Sequence, residues 1–403
     1  MQKPFFYITQ FFTPEPHPKD IKYILELKKK GWDPIVITGF PNYPKGELYE
    51  GYRNKLFFED QISDVKVIRV LTYCDHSLSV FKRTLNYLVF GLFSALAILK
   101  YGKKDSFYYI LQPSPFIIFG AWIIKIFKRR SKILLDVQDV FPENIEVSGF
   151  IKNRTIIKTL HFILDKFYYK MFDLFITNSD SFRKIVISKG IQQDKVMTQY
   201  NWSLAESEKC TKEQSYQYSD DGIHIVYAGN MGVHQGLSKL SAGMLEVVKL
   251  RPQVRFHFFG DGTDESNLIE MVHGSSHFIF HGRVSGDEIS KFLEAADFLF
   301  LHLIKVPIYE CVIPSKLQAY VEIGKPILAG VEGEARALVT ENHLGEVFES
   351  ENNQDFVEAV IRLVDYNDIQ KKDISLRSKI LYKEKFSREV GAEKVHQFIL
   401  KNI

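Results

Sequence analysis

The stretch Ile225–Leu237 reads Ile-Val-Tyr-Ala-Gly-Asn-Met-Gly-Val-His-Gln-Gly-Leu and lies just past the middle of the 403-residue chain. Its apolar start predicts a buried strand, its three glycines predict a loop, and a helix is predicted from about Leu237. Glycine adopts positive φ and lets the backbone approach a ligand closely. A helix start also presents free N–H groups to an anion such as a diphosphate. Taken alone, the same pattern is typical of any strand-to-helix turn in an α/β domain.

Length and composition restrict the class of protein. A chain of 403 residues predicts two to three domains, at roughly 100–200 residues per domain. The net charge of +3 is too small to indicate a nucleic-acid partner, which needs a concentrated basic face. The three cysteines, Cys74, Cys210 and Cys311, have no paired spacing, so neither a zinc site nor a disulfide framework is expected, and a reducing cytoplasm fits. Met1 leads directly into an apolar stretch, which argues against a signal peptide.

The front half alternates strands and helices. Strands are predicted at Phe5–Gln10 and Pro34–Thr38 with a helix between them, which is the βαβ unit of a parallel sheet. The alternation continues with strands at Val65–Leu71, Ser131–Val137, Leu174–Thr177 and Val196–Tyr200. The loop after the first strand lies at the carboxyl edge, where such sheets bind ligands. His17 in this loop is a candidate substrate contact, and a surface histidine between prolines is the alternative.

A second polar cluster follows the strand that ends at Val137. Gln138 and Asp139 come first, and Glu143 and Asn144 close the cluster. Two carboxylates just past a strand end are placed to bind substrate hydroxyls or to act in acid/base chemistry. Capping of a helix by Asp139 or Asn144 is the structural alternative.

Two apolar helices carry basic residues at their ends. The first, Leu85–Leu99, is flanked by Lys82-Arg83 and Lys100, and the second, Phe116–Phe127, is followed by Lys128-Arg129-Arg130. Both are shorter than the ~20 apolar residues that span a bilayer. Buried packing helices are the common case, but apolar helices with basic ends also suit an interface with anionic lipid. A peripheral membrane contact is therefore predicted, but not a spanning helix.

The alternation restarts after a polar segment at 206–221, which reads as a linker. Strands are predicted at Ile223–Tyr227, Arg255–Phe259, His277–Phe280, Phe298–Leu303 and Pro326–Ala329. The predicted fold is therefore two Rossmann-like parallel-sheet domains facing each other across a cleft. Their boundaries are 1–205 for the first domain and 222–387 for the second, with a final helix at 388–403 that returns to the first.

Polar or glycine residues repeatedly follow the strands of the second half. They include Gly260 and Gly262 after one strand, Gly282-Arg283-Val284 after the next, and Gly330 to Glu334 after the last long strand. Ser315-Lys316 behind Pro314 combines a hydroxyl, an ammonium and free helix-start N–H groups, which is a small anion site. These turns share one sheet edge and so predict one ligand site.

These motifs, in this order, resemble those of glycosyltransferase family 4, retaining enzymes of the GT-B fold. The resemblance rests on Tyr227–Gly232 with Gln235–Leu237, Phe259–Gly262, Gly282–Val284, Pro314–Leu317, Ala319-Tyr320 and Gly324–Ile327. In the front half, Pro41–Gly46 and Asp136–Glu143 are similar to the bacterial branch that builds O-antigen and colanic-acid-type polysaccharide. Within that branch the likeness is greatest to transferases of N-acetyl-L-fucosamine.

The resemblance implies a UDP-sugar donor in the second domain and an acceptor in the first. The implied donor-binding residues are Gly229, Asn230, Met231, Gly232, Gln235, Gly260, Arg283, Val284, Ser315, Lys316 and Glu334. The implied acceptor-binding residues are His17, Gln138 and Asp139, and the catalytic residues are Lys316, Asp139 and Glu143. The base would lie on the backbone of Gly282–Val284, and the diphosphate near Gly229–Gly232 and Ser315-Lys316.

The chain also departs from the family pattern. Where many members carry Arg and Lys in the first glycine loop, this chain has Asn230 and Gln235. The paired-glutamate motif falls on Cys311 and Ala319, with Glu310 and Glu322 nearby but out of register, and the family's front-half histidine corresponds to Gln138.

The predicted reaction is front-face substitution with retention, without a protein nucleophile and without a metal. The implied acceptor is an undecaprenyl-diphosphate-linked sugar at the inner face of the plasma membrane. Two alternatives remain open: a UDP-sugar epimerase of the same fold, and a nucleotide-sugar-binding protein without turnover.

Overall fold

The computed structural model describes residues 4–75, 79–112, 114–143, 153–203 and 216–402. The chain divides into two compact units, one formed by Met1–Tyr200 with Arg388–Ile403 and the other by Asn201–Ser387. Each unit is described by itself below. Residues 206–215 of the linker predicted at 206–221 lie outside the described residues.

The first unit is built on an eight-stranded sheet with the order β3-β4-β2-β1-β5-β6-β7-β8. Its strands are β1 (Pro4–Ile8), β2 (Asp33–Gly39), β3 (Phe57–Ile62), β4 (Val65–Val70), β5 (Phe107–Leu111), β6 (Lys132–Val137), β7 (Leu174–Thr177) and β8 (Val196–Thr198). Its helices are α1 (Ile21–Lys29), α2 (Val80–Tyr101), α3 (Ile118–Phe127), α4 (Arg154–Ile163), α5 (Asp180–Ser188) and the C-terminal helix.

Continuous apolar runs form the central strands because both faces of a parallel sheet are covered. β5 is buried along its whole length, and the rings of Tyr7 and Tyr109 pack 5.2 Å apart across β1 and β5. The sequence patterns had predicted neither β5 nor β3. β3 is an edge strand of mixed exposure that pairs antiparallel with β4, so the prediction of a parallel sheet fails at this edge.

The second unit contains a six-stranded parallel sheet with the order β11-β10-β9-β12-β13-β14. Its strands are β9 (Ile223–Ala228), β10 (Val254–Phe259), β11 (Phe278–Gly282), β12 (Phe298–His302), β13 (Ile327–Gly330) and β14 (Gly345–Phe348). Its helices are α6 (Ser241–Leu250), α7 (Glu265–Met271), α8 (Gly286–Ala295), α9 (Ser315–Ile323), α10 (Gly333–Glu341), α11 (Asn353–Val364) and α12 (Asp368–Leu381). The helix predicted from Leu237 begins as a 3-10 turn, Leu237–Leu240, and becomes α-helical at Ser241.

Strand order reverses once in each sheet, between β1 and β5 and between β9 and β12. Such switch points open a crevice at the carboxyl ends of the strands, where α/β sheets bind ligands. β9 and β12 pair only at Ile225–Phe298 and Val226–Leu299. Beyond these pairs the Tyr320 hydroxyl fills the gap, accepting from Ala228 N and donating to Phe300 O at 3.1 Å each.

The C-terminal helix, α13 (Arg388–Asn402), packs on the first unit as predicted. Glu393 forms an ion pair with Lys30, and the Trp32 indole donates to His396 Nδ1 at 3.0 Å. At the far end, Lys195 donates to the Asn402 side chain at 3.1 Å.

Helix α2 is longer than the sequence predicted. By length and composition its segment Phe81–Tyr101 could cross a membrane. It packs against α3, β2 and β4, which buries one side, while Phe81, Leu92, Leu96 and Leu99 are exposed. This arrangement is that of a packing helix with an uncovered apolar side.

Candidate active site

Two glycine turns meet at the carboxyl edge of the second sheet. Gly229 follows β9 with φ +123°, and Gly260 follows β10 with φ +121°. A Cβ atom on Gly260 would lie 2.2 Å from the Gly229 carbonyl oxygen, and a Cβ on Gly229 would lie 2.5 Å from Lys316 Cε. Glycine is favoured at both positions by the positive φ, and at Gly260 a side chain would also collide with backbone atoms.

Most backbone N–H groups expected to hold the diphosphate are already engaged. Gly229 N donates to Phe259 O at 2.8 Å, Met231 N donates to Asp261 O at 2.7 Å, and Gly232 N donates to the Gln235 side chain at 3.1 Å. The structure therefore does not support the prediction that these three groups bind the ligand. Burial of the Met231 side chain in the core also removes it from the site.

Asn230 and Gln235 are hydrogen-bonded to each other. Asn230 Nδ2 donates to Gln235 Oε1 at 2.9 Å, and the Gln235 carbonyl oxygen lies 2.6 Å from His302 Nδ1. His302 Nε2 accepts from Glu351 N at 3.0 Å, so the hydrogen lies on Nδ1 and the ring is neutral. Burial lowers the pKa of His302 to about 4. His302, which the sequence analysis missed, thus connects the glycine loop to the backbone at Glu351 through two hydrogen bonds.

Lys316 is the cation at the centre of the site. It lies in the first turn of α9, and its Nζ donates to the Tyr227 hydroxyl, 4.3 Å from the centre of that ring. Partial burial lowers the pKa of Lys316 to about 7. The backbone N–H groups of Ser315 and Lys316 have no acceptor within this part of the structure. These donors lie where the sequence predicted an anion site, and binding of an anion at Ser315-Lys316 stays a prediction.

The remaining donor candidates lie on the neighbouring loops of the same edge. Arg283 follows β11, and its Nε lies 2.6 Å from Asp261 Oδ2 in an exposed pair that offsets its charge. Val284 follows directly and is half-buried. Glu334 lies in the first turn of α10, next to Gly333, where a Cβ would lie 2.0 Å from the Glu310 carbonyl oxygen. The sequence-predicted donor residues are therefore brought to one edge.

In the first unit, one hydrogen-bonded network connects the loop after β1 with the end of β6. His17 Nδ1 accepts from Lys19 N at 3.2 Å, and the Lys19 ammonium forms a buried ion pair with Asp136. Asp136 in turn accepts from Gln138 Nε2 at 2.6 Å. Burial, and then the charge of Lys19, lower the pKa of His17 to about 4, which leaves it neutral. Asp139 is exposed beside this network.

Glu143 lies in a different environment. Its carboxylate forms an ion pair with Lys189 at 2.7 Å, and Lys189, whose side chain is only 4% exposed, also binds Asp165 at 2.7 Å. These contacts favour a structural role for Glu143 over the predicted catalytic one. Asn144 lies outside the described residues.

Sequence reasoning missed several buried polar groups of the first unit. The carboxylate of Glu15 accepts from the backbone N–H groups of Phe12, Asn42 and Tyr43 at 2.8–3.0 Å, so it joins the loops after β1 and β2. At the switch point, the side-chain oxygens of Gln10, Gln112 and Ser114 are buried without a hydrogen-bond partner. In the sequence, the only indication of these groups was that Gln10 and Gln112 each follow an apolar stretch.

No metal centre is found in the described part of the chain, where no group of three or more His, Cys, Asp or Glu side chains is placed to hold an ion. The predicted metal independence of the reaction stays a prediction.

Comparison with protein families identifies the second unit. Residues 222–366 match the family model described as glycosyl transferases group 1. This part of the second unit is thus similar to a glycosyltransferase group 1 domain. The match to this group 1 domain confirms the enzyme class predicted from the sequence, a glycosyltransferase. No curated protein matches the chain.

Solved structures confirm the GT-B fold over the entire chain. HepE from Anabaena, in complex with UDP and glucose, has 14% identity and a TM-score of 0.64, with 100% of both chains covered. A glycosyltransferase from Rickettsia africae has 14% identity and a TM-score of 0.68, again with both chains fully covered. A trehalose-6-phosphate protein from E. coli bound with UDP-2-fluoro glucose has 10% identity and a TM-score of 0.70, with 99% of each chain covered. At these identities the likeness establishes the fold that surrounds the group 1 domain.

Proposed function

We propose that this protein is a retaining transferase that moves a sugar from a UDP-sugar to a lipid-linked saccharide in surface polysaccharide biosynthesis. The sugar proposed is an N-acetylated amino sugar such as N-acetyl-L-fucosamine, and the product an O-antigen or capsule. The proposal rests on the position of the Lys316 side chain, which lies against Gly229. The backbone N–H groups of Ser315 and Lys316, which have no acceptor in the described structure, lie at the start of the same helix, α9.

The donor half of the proposal rests on charge. A departing UDP develops negative charge on its diphosphate, and donors already oriented toward that charge lower the barrier. Losing one such donor costs about 3–4 kcal/mol in comparable oxyanion sites. Lys316 and the start of α9 supply these donors from this chain, which supports a reaction without a metal. Two of the similar structures hold UDP or a UDP-sugar analogue, in agreement with this donor class.

The acceptor half of the proposal rests on the first unit. Its candidate contacts are the neutral His17, Gln138 and the exposed Asp139. At the switch point, three buried side-chain oxygens have no hydrogen-bond partner in the described part of the protein, namely those of Gln10, Gln112 and Ser114. A carboxylate and neutral hydrogen-bonding groups suit a hydroxyl-rich saccharide.

A lipid-linked acceptor is supported by exposed apolar and basic side chains of the first unit. Large apolar side chains are exposed on α2, on α3, and on α4 with the turn that follows it. They are Phe81, Leu92, Leu96, Leu99, Trp122, Ile126, Phe127, Phe162, Ile163 and Phe167. Exposed basic side chains of the same segments include Lys82, Arg83, Arg129, Arg130, Lys158 and Lys166. Apolar groups beside cations fit an anionic membrane surface, and a peripheral position on the inner face of the plasma membrane is proposed.

The test measures UDP release from a panel of UDP-hexosamines, with and without a prenyl-diphosphate-linked N-acetylhexosamine. Release that depends on the acceptor and on one donor would establish the transferase and identify its sugar. An isomerised nucleotide sugar without free UDP would indicate the epimerase instead. UDP binding that is lost in Lys316→Ala, with no release from any donor, would indicate a binding protein.

A further inference from the structure

His234 lies in the glycine loop and has no assigned role. We propose that His234 binds the diphosphate of the donor, in the place of the charged side chains that this loop lacks, and that Tyr309 positions its imidazole. This inference rests on the proposed function, because it deepens the description of the same donor site.

The first observation is the position of His234. Its backbone oxygen accepts from Ile304 N at 3.0 Å, and its Nδ1 lies 2.8 Å from the Tyr309 hydroxyl. Ile304 and Tyr309 follow β12, whereas His234 follows β9. His234 therefore bridges the two loops that border the switch point of the second sheet, where a ligand of such a sheet binds.

The second observation concerns the backbone around His234. Gly232 O accepts from both Gln235 N and Gly236 N, at 3.0 and 3.1 Å, which closes one helix-like turn. The N–H groups of Val233 and His234 lie at the start of this turn and have no acceptor in the described structure. Consecutive N–H groups left unpaired in a turn form a concave site for an anion. These two groups replace the engaged donors of Gly229, Met231 and Gly232.

The third observation is the availability of the imidazole. Asn230 and Gln235, which stand where a charged side chain would be expected, are uncharged and are hydrogen-bonded to each other. His234 is exposed, and its ring meets the Tyr309 ring edge-on at 5.7 Å. When the Tyr309 hydroxyl donates to Nδ1, the hydrogen of the neutral imidazole lies on Nε2. Nε2 is then a hydrogen-bond donor, and a phosphate oxygen is a suitable acceptor for it.

If His234 had only a structural role, its removal would have a different effect on ligand binding. If the imidazole only connected the two loops through Tyr309, its removal would loosen the whole site. Binding of the nucleoside would then suffer together with binding of the diphosphate. A phosphate contact instead affects only ligands that carry the phosphates.

The experiment is calorimetric titration of the full-length protein with UDP and with uridine. The wild type is compared with His234→Ala, Tyr309→Phe and the control His273→Ala, which removes another exposed histidine. We expect His234→Ala to weaken UDP roughly tenfold or more, as for loss of a hydrogen bond to a charged group, and to leave uridine unchanged. Tyr309→Phe should produce a smaller loss in the same direction, and His273→Ala none.

Equal UDP affinity in His234→Ala and wild type would overturn the inference while the proposed function stands. A parallel loss for uridine and UDP, with a lower melting temperature, would also overturn it, because it would reveal a structural residue. If the wild type bound no UDP, the proposed function would fail first and this inference with it.

Discussion

The side chain of Lys316 rests against the α-carbon of Gly229, so that a methyl group on Gly229 would lie 2.5 Å from Lys316 Cε. The two residues belong to different βα units: Gly229 follows β9, whereas Lys316 lies in α9, which follows β12. The missing side chain at Gly229 is thus what allows an ammonium to reach the switch point of the second sheet.

Gly229→Ala is therefore expected to displace Lys316 and to reduce UDP affinity by more than tenfold. The substitution also strains the backbone, since φ is +123°, and such strain costs of order 1–3 kcal/mol. Gly274→Ala is the matched control, because Gly274 also has a positive φ, +81°, but has open space where the methyl group would go. The control should lose stability and still bind UDP. Equal UDP binding by both variants would contradict the displacement.

UDP binding is expected to take up protons near neutral pH. The pKa of Lys316 is lowered to about 7, so the free protein carries a partly deprotonated amine at pH 7–8. A bound diphosphate favours the charged form and raises this pKa, so protons enter on binding. Calorimetry in buffers of different ionisation enthalpy measures this uptake. It should disappear below about pH 5, and also in Lys316→Arg, whose guanidinium is always charged. Uptake that persists in the arginine variant would assign the protons to another group.

Acid is expected to destabilise the second unit through His302. The pKa of His302 is about 4 in the folded protein, against about 6.5 for an unperturbed histidine. The unfolded state therefore binds more protons between these values. The stabilising effect is complete above about pH 6.5 and is lost as the pH falls toward 4, with a slope of up to about 1.4 kcal/mol per pH unit. Chemical unfolding at pH 5, 6 and 7 should show a smaller pH dependence for His302→Gln than for the wild type. An equal pH dependence of stability in His302→Gln and the wild type would exclude His302 as the cause of the acid destabilisation.

Charge reversal on the first unit is expected to reduce membrane recovery. The triple change Lys128→Glu, Arg129→Glu and Arg130→Glu replaces attraction to anionic lipid with repulsion, and each basic residue contributes about 1 kcal/mol at such a surface. Flotation with anionic vesicles measures the loss, and UDP binding should be intact. The control reverses three exposed lysines of the second unit, Lys249, Lys372 and Lys385. Unchanged flotation of the first variant would remove the membrane proposal.

The sequence by itself determined the alternating α/β architecture of both halves. Apolar strands buried on both faces and helices with a single apolar stripe each leave a local periodic pattern. Residues that act through local backbone geometry were predictable for the same reason. Gly229 at positive φ and Ser315-Lys316 at a helix start are examples, and the structure shows both as expected.

Only the tertiary structure decided which polar groups remain available to a ligand. The partners of the key residues are remote in sequence: Lys316 is 89 residues from Tyr227, and His302 is 67 residues from Gln235. Glu143 is likewise engaged by Lys189, 46 residues away. A hydrogen bond or ion pair between such residues leaves no periodic trace in the chain, because it depends on where separate strands end in space. The edge proposed to bind the UDP-sugar was therefore predictable from the sequence, whereas the hydrogen-bond donors left available at that edge were not.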